Sequence, residues 1–211
     1  MNQKNNRILY GLSLILAMIL FSSCLDIDAE IEVSENGSGT LKMDYAVSAF
    51  AANLGRIENE QKLIAFPLAR EDFERAAKMI DGLTLNSYSL KETAEEILIS
   101  VEIYFASLNS LSRLFSTQDI REPIKQEPVG SGEAFTLFLY QGTPEKIPED
   151  IIDLYKTLFE NSTLEISCSF PREIKSSNFG TFSPDKRTVV FSKALLEIIT
   201  SEDPVLWEIL Y

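Results

Sequence analysis

The sequence predicts an α+β domain: an antiparallel β-sheet with helices packed on one face, in a two-layer sandwich. Three observations carry this expectation. Stretches with strand periodicity come in pairs separated by single helical stretches, without the regular strand–helix–strand alternation of a parallel sheet. Residues 26–33 alternate strictly. Ile27, Ala29, Ile31 and Val33 take one face and Asp26, Asp28, Glu30 and Glu32 the other, as suits a sheet with one side in water. No repeat and no domain-scale linker interrupts residues 24–211, which are expected to form a single domain.

Residues 40–48 alternate as well, aligning Leu41, Met43, Tyr45 and Val47, and Glu35-Asn36-Gly37-Ser38-Gly39 between the two runs reads as a hairpin turn. Side chains alternate with period two, so an odd loop, of three or five residues, keeps both apolar sets on one side. The expected register sets Val33 opposite Leu41 and Glu32 opposite Lys42. The four carboxylates on the first strand read as a solvated face rather than a cation site. Phe50, Leu54, Ile57 and Ile64 suggest one helix or two short ones before Pro67. A clearer helix is expected over 71–81, with Glu71 and Asp72 in its first turn, Phe73, Ala76, Ala77 and Ile80 on one face and Gly82 as a stop.

Strands are expected at 83–90 and 96–105, the second carrying the strongest apolar face in the chain: Ile97, Ile99, Val101, Ile103 and Phe105. Leu108, Leu111 and Phe115 mark a short helix. The stretch 117–133 is either a long loop or contains an edge strand at 124–129 that turns through Gly130-Ser131-Gly132 into a strand at 135–140. The hairpin is preferred, because long structureless loops are uncommon in compact domains. Phe138 and Tyr140 leave the 135–140 strand apolar on both faces. Pro148 starts a helix on which Ile151, Leu154, Tyr155, Leu158 and Phe159 follow helical spacing. Strands follow at 163–175, bent at Pro171, and at 187–192. Ser192 is expected to cap a short helix with Leu195, Ile198 and Ile199, and residues 205–211 form a last strand after Pro204.

The first residues carry an address. Lys4 and Arg7 precede an apolar run over 8–21, followed by Ser22, Ser23 and Cys24. This order describes a secretory signal peptide spanning residues 1–23. The apolar run falls short of the roughly 20 residues that cross a bilayer, and Asp26, Asp28 and Glu30 follow at once, so a transmembrane anchor is the weaker reading. Phe21-Ser22-Ser23-Cys24 resembles the lipobox of bacterial lipoproteins. Phe21 stands where Leu is usual, as in the relaxed lipoboxes of spirochaete lipoproteins. The resemblance implies cleavage between Ser23 and Cys24 and acylation of the Cys24 thiol. The alternative is an ordinary signal peptide with a chance cysteine after it. Two or three acyl chains make a durable anchor where one is marginal. The expected location is therefore a cell membrane, lipid-anchored, facing the periplasm or the cell exterior.

Composition excludes several functions. Without residues 1–23 the chain has 17 basic and 32 acidic residues, a net charge of −15. Such a domain is repelled by phosphate backbones, so nucleic acid is not an expected partner, and an anionic lipid surface adds nothing to attachment. There is no histidine, which removes the commonest general base and zinc ligand. Cys168 shares the apolar face of its strand with Leu164, Ile166 and Phe170 and reads as a small buried hydrophobe. With Cys24 acylated it has no disulfide partner. No G-x-S-x-G, P-loop or paired-cysteine metal motif occurs, so no catalytic residue, metal or cofactor is assigned and the chain reads as non-enzymatic.

A cysteine running into a strand with Asp26 and Asp28 is one of several features that belong together. The others are the Asn36-Gly37-Ser38-Gly39 turn, Phe170-Pro171, Asn178-Phe179-Gly180, the short helix at Leu195 and the strand with Trp207. Together they resemble the LppM-like group of bacterial envelope lipoproteins, over nearly all of residues 24–211. Phe179 inside the Asn-Gly pair and the long 117–133 segment depart from that pattern. The resemblance implies a helix-on-sheet domain facing the envelope space, binding of lipid-like molecules, and no catalytic residues.

Two functions follow as expectations. The domain binds an apolar or amphipathic, lipid-like ligand between helices and sheet, or it is an interaction or scaffold lipoprotein that contacts other envelope components through its surface. Phe179 and Phe182, in the turn-rich stretch 176–185, are the candidate contact residues for a ligand or partner. The alternative is that both rings fold back over the sheet edge.

Overall fold

The computed structural model describes residues 25–48, 67–117, 120–143 and 147–211. The helical stretch expected between Phe50 and Ile64, and the cleavage and acylation pair Ser23 and Cys24, lie outside these residues.

β1 (Leu25–Val33) and β2 (Gly39–Ser48) form the first hairpin. Ser34 N–H donates to the Ser38 carbonyl at 2.7 Å, and Asn36 Oδ1 accepts the Ser38 backbone N–H at 3.1 Å. The loop has the odd length that keeps both apolar sets on one face, but the register corrects the expectation by two residues. Ile31, not Val33, opposes Leu41, and Glu30, not Glu32, opposes Lys42. The physical reason lies at Gly39, which opposes Val33 on one side and Phe105 on the other. A Cβ there would stand 1.8 Å from the Glu32 carbonyl oxygen and 2.5 Å from Phe105 Cζ, so only glycine fits that pairing.

α1 (Arg70–Met79) lies against β3 (Leu83–Glu92), which pairs with β4 (Glu96–Phe105) across a bulge between Leu85 and Ser87. β4 in turn pairs with β2, and Ile97, Ile99, Val101, Ile103 and Phe105 on its inward face are all buried. α2 (Leu108–Phe115) is capped by Ser107, whose side chain accepts the Ser110 N–H. The segment after it forms the expected hairpin of β5 (Ile124–Val129) and β6 (Gly132–Tyr140). α3 (Glu149–Phe159) starts after Pro148. β7 (Thr163–Ser169), β8 (Ser176–Ser177), β9 (Thr181–Phe182), β10 (Thr188–Ala194), α4 (Leu195–Ile199) and β11 (Val205–Leu210) complete the order.

The class is α+β, as expected. The strands among the described residues divide over two sheets: seven in the order β3-β4-β2-β1-β7-β10-β9 and four in the order β5-β6-β11-β8. Among the described residues all pairs are antiparallel except β1 with β7. The strand expected over 163–175 stops at Ser169: around Pro171 the chain leaves the first sheet, and pairing resumes with β8 in the second. Ser192 does not cap α4. It lies inside β10, and Ala194 occupies the cap position without a side-chain bond.

Aromatic rings join the two sheets. Phe191 of β10 meets Trp207 of β11 at 5.5 Å between centroids, and both rings are fully buried. Phe135 of β6 meets Phe170 edge-on at 5.4 Å, and Phe170 stacks on Tyr211 at 4.2 Å. Burial of each such side chain contributes about 1.5–3 kcal/mol. Phe73 anchors α1 against Tyr88 at 5.8 Å. The Tyr45 and Tyr88 hydroxyls donate to the carbonyls of Pro67 and Leu68.

The pairings define two ends. At one lie the starts of β1, β7 and β11, the ends of β2, β6 and β10, and the helices α3 and α4. At the other lie the β1–β2 loop, α2, the β5–β6 turn and Tyr211.

Candidate functional site

Three places on this frame bear on function, beginning with the start of β1. Leu25, the residue after Cys24, is already a buried strand residue. Its N–H donates to Ser162 Oγ at 3.3 Å, and the Thr163 N–H donates to Asp26 Oδ1 at 3.0 Å. Ser162 is itself buried, and its carbonyl accepts the Leu195 N–H at 2.8 Å. The first residue of β1 is thus tied to the α3–β7 junction and to α4.

Phe179 and Phe182 sit where the chain passes from β8 of the second sheet to β9 of the first. Asn178 extends the β8–β11 pairing with its side chain. Its Nδ2 donates to the Leu206 carbonyl at 2.9 Å, and its Oδ1 accepts the Glu208 N–H at 2.9 Å. Trp207 Nε1 donates to Ser177 Oγ at 2.9 Å and to the Phe179 carbonyl at 3.1 Å. Gly180 has φ +101°, and a Cβ there would lie 2.5 Å from the Val190 carbonyl oxygen. The Asn-Phe-Gly motif is therefore a fixed corner between the sheets. The Phe179 ring stands edge-on to Phe191 at 6.0 Å and remains 43% exposed. Phe182, opposite Val189 on the edge strand, remains 40% exposed. Each ring leaves a large part of its surface in solvent, and Phe179 also covers the core edge.

A third constellation, at the end away from Leu25, escaped the sequence reading. Tyr211 OH donates to Glu133 Oε2 at 3.0 Å, Arg172 Nη2 lies 3.2 Å from Glu133 Oε1, and Gln126 Nε2 donates to both Glu133 and the Tyr211 hydroxyl. The Arg172 guanidinium lies 5.3 Å from the centre of the Tyr211 ring. Burial works against a charged Glu133, but the bonds from Tyr211 and Gln126 and the Arg172 charge outweigh it, so the carboxyl sits below its ordinary range. Burial, then the bond to Glu133, pushes the Tyr211 hydroxyl up. The four residues come from β5, β6, the β7–β8 connection and the residue after β11, and no local spacing links them. They border a polar depression of about 280 Å³ with Ser34 and Glu35. A second depression, about 440 Å³, opens between the β1–β2 loop, α2 and β5.

The acidic face of the first sheet is exposed, as expected. Asp28 faces Asp44 across β2 and Glu165 across β7. Burial raises its carboxyl above the ordinary value, and the charges of Glu165, Glu30 and Asp44 add to the shift. Among the described residues no group of three His, Cys, Asp or Glu side chains could hold a metal ion. Cys168 is fully buried, and burial pushes its thiol up, which disfavours a reactive thiolate. No helix among the described residues is long and apolar enough to cross a membrane.

These features define an α+β fold of two mostly antiparallel sheets joined by buried aromatic contacts. The chain is similar in fold to the folded domain of LppM from Mycobacterium tuberculosis, solved by NMR. The likeness is distant, with 12% sequence identity, 89% of each chain covered and a TM-score of 0.48. No family model and no curated protein matches the sequence.

Proposed function

We propose that the chain is a bacterial lipoprotein, held to a membrane by acyl chains on Cys24, whose domain acts by contact with other envelope components and not by catalysis. The observation that carries the reading is the position of Cys24: small residues precede it, and the folded domain starts at the next residue. Small residues before the cysteine are what a signal peptidase that cuts ahead of an acylated residue needs, and the adjoining strand places the anchor against the fold. The contact reading draws on the surface. The depressions at the end away from Leu25 are open and lined by polar side chains, and large aromatic residues fill the space between the sheets. Phe179 and Phe182 supply exposed apolar area on a rigid corner, the chemistry enriched where proteins meet.

A lipid-like ligand is the second reading. It is favoured by Phe138, which opposes Leu206 and is only half-buried, so the 135–140 strand does offer an apolar ring away from the core. Tyr140, by contrast, packs against the core.

Metabolic labelling with a fatty acid, together with membrane fractionation, tests the anchor. Wild-type protein is expected to carry the label and start at residue 24, and Cys24→Ala to lose the label and leave the membrane. Unlabelled wild-type protein starting elsewhere overturns the reading. Native mass spectrometry of the purified protein separates the two modes: retained lipid supports the ligand reading, and bare protein that captures envelope proteins supports contact.

A further inference from the structure

We infer that the α3–α4 end of the domain lies directly on the bilayer, with the part-exposed apolar stripe of α3 in contact with lipid. The inference rests on acylation of Cys24 and extends it to a docking surface.

The described residues begin at Leu25, directly after Cys24, and Leu25 is already paired in β1 opposite Val47. One residue spans at most about 3.6 Å, so no tether separates the acylated residue from the fold. Leu25 cannot peel away to make one. Its side chain is buried, and its N–H is bonded to Ser162 between α3 and β7. Whatever membrane holds Cys24 therefore meets the surface around Leu25 and Ser162, and that surface is the end bearing α3 and α4.

α3 has the pattern such a surface needs. Ile151, Ile152, Leu154, Tyr155, Leu158 and Phe159 occupy one arc of the helix, and Asp150, Asp153, Lys156 and Glu160 occupy the rest. Only Leu158 and Phe159, in the last turn, are buried. Ile151, Ile152 and Tyr155 are part-exposed, and Leu154 is 39% exposed. Tyr155 also packs partly on the core, which leaves Ile151, Ile152 and Leu154 as the more open side of the stripe among the described residues, and such an arc fits the boundary between headgroups and acyl chains. The acids on the same helix argue for a zwitterionic lipid surface. The Glu133–Arg172 cluster then faces away from the membrane, into the envelope space.

The test uses full-length acylated protein in phosphatidylcholine vesicles that contain spin-labelled lipid. A fluorescent label is placed at Leu154→Cys or, on the opposite end, at Asn36→Cys. Cys168 is buried and is not expected to compete for the label. Both variants are first required to match the wild-type thermal transition, and hydrogen exchange of the α3 amides in unlabelled wild-type protein, with and without vesicles, replaces any label that perturbs the fold. The expected result is at least threefold stronger quenching at residue 154 than at residue 36, with slowed exchange in α3. Equal quenching at the two sites in protein shown by mass to be acylated overturns the docking surface and leaves the anchor standing. Protein that is not acylated overturns both.

Discussion

Trp207 Nε1 donates to the Phe179 carbonyl oxygen at 3.1 Å, tying a buried indole in the second sheet to the corner that leads into the first. Trp207→Phe keeps most of the ring but removes the donor for both Phe179 and Ser177. We expect a loss of about 1–3 kcal/mol in chemical denaturation, and faster hydrogen exchange across residues 176–182 than elsewhere. A loss spread evenly over the molecule would count against this bond as the corner's fixing point.

The two exposed rings of that corner are expected to separate. Phe179→Ser removes the edge contact with Phe191 and is expected to cost about 1 kcal/mol in thermal or chemical unfolding. Phe182→Ser, on the edge strand, is expected to cost less. The double variant also tests the contact reading: a folded protein that no longer captures a partner in a pull-down supports it, and unchanged capture removes these rings from the contact site.

Gly39→Ala is expected to destabilise the first hairpin by about 1–3 kcal/mol, the range for forcing a methyl group into a packed site. Phe105→Leu in the same chain is not expected to restore stability, because the Glu32 carbonyl still occupies the Cβ position. Full rescue in the double variant would place the whole effect in the ring contact.

Cys168 is expected to resist alkylation in the folded protein at pH 8 and to react fully in denaturant, since its thiol is buried and its pKa raised by burial. A group raised on folding favours the fold while it is protonated. The Cys168 contribution is therefore complete below its ordinary value of 9.0 and declines as pH rises beyond it. Cys168→Ser is expected to cost about 1–3 kcal/mol by burying a hydroxyl. Rapid native alkylation would overturn the buried placement.

Asp28 gives the opposite signal at neutral pH. Its pKa is raised, so its contribution is present below 3.8 and lost as pH rises through the folded value. At pH 7 its charge faces those of Asp44 and Glu165. Asp28→Asn is expected to raise the melting temperature slightly at pH 7, by about 1 °C for so exposed a group, with no difference near pH 3. A lower melting temperature at pH 7 would show that the ionised carboxylate has a favourable partner.

Most of the longer elements are legible in local sequence, whereas the two-residue strands β8 and β9 are not. Strand and helix periods are local, so β4 from Glu96 to Phe105, the β5–β6 hairpin and the amphipathic α3 can each be read from neighbouring residues. Local sequence also sets Cys24 after Ser22 and Ser23 and just ahead of the alternating run that starts at Asp26, the chemistry on which the proposed anchor rests. Tertiary structure alone decided how distant segments meet. The parallel pairing of β1 with β7 joins residues about 140 positions apart, and no local pattern encodes it. The hairpin register turned on Phe105 closing over Gly39, a contact between strands that are not neighbours in sequence. The Glu133–Arg172–Tyr211–Gln126 cluster was invisible for the same reason, because each member belongs to a different segment and only the folded chain brings their charges and donors within bonding distance.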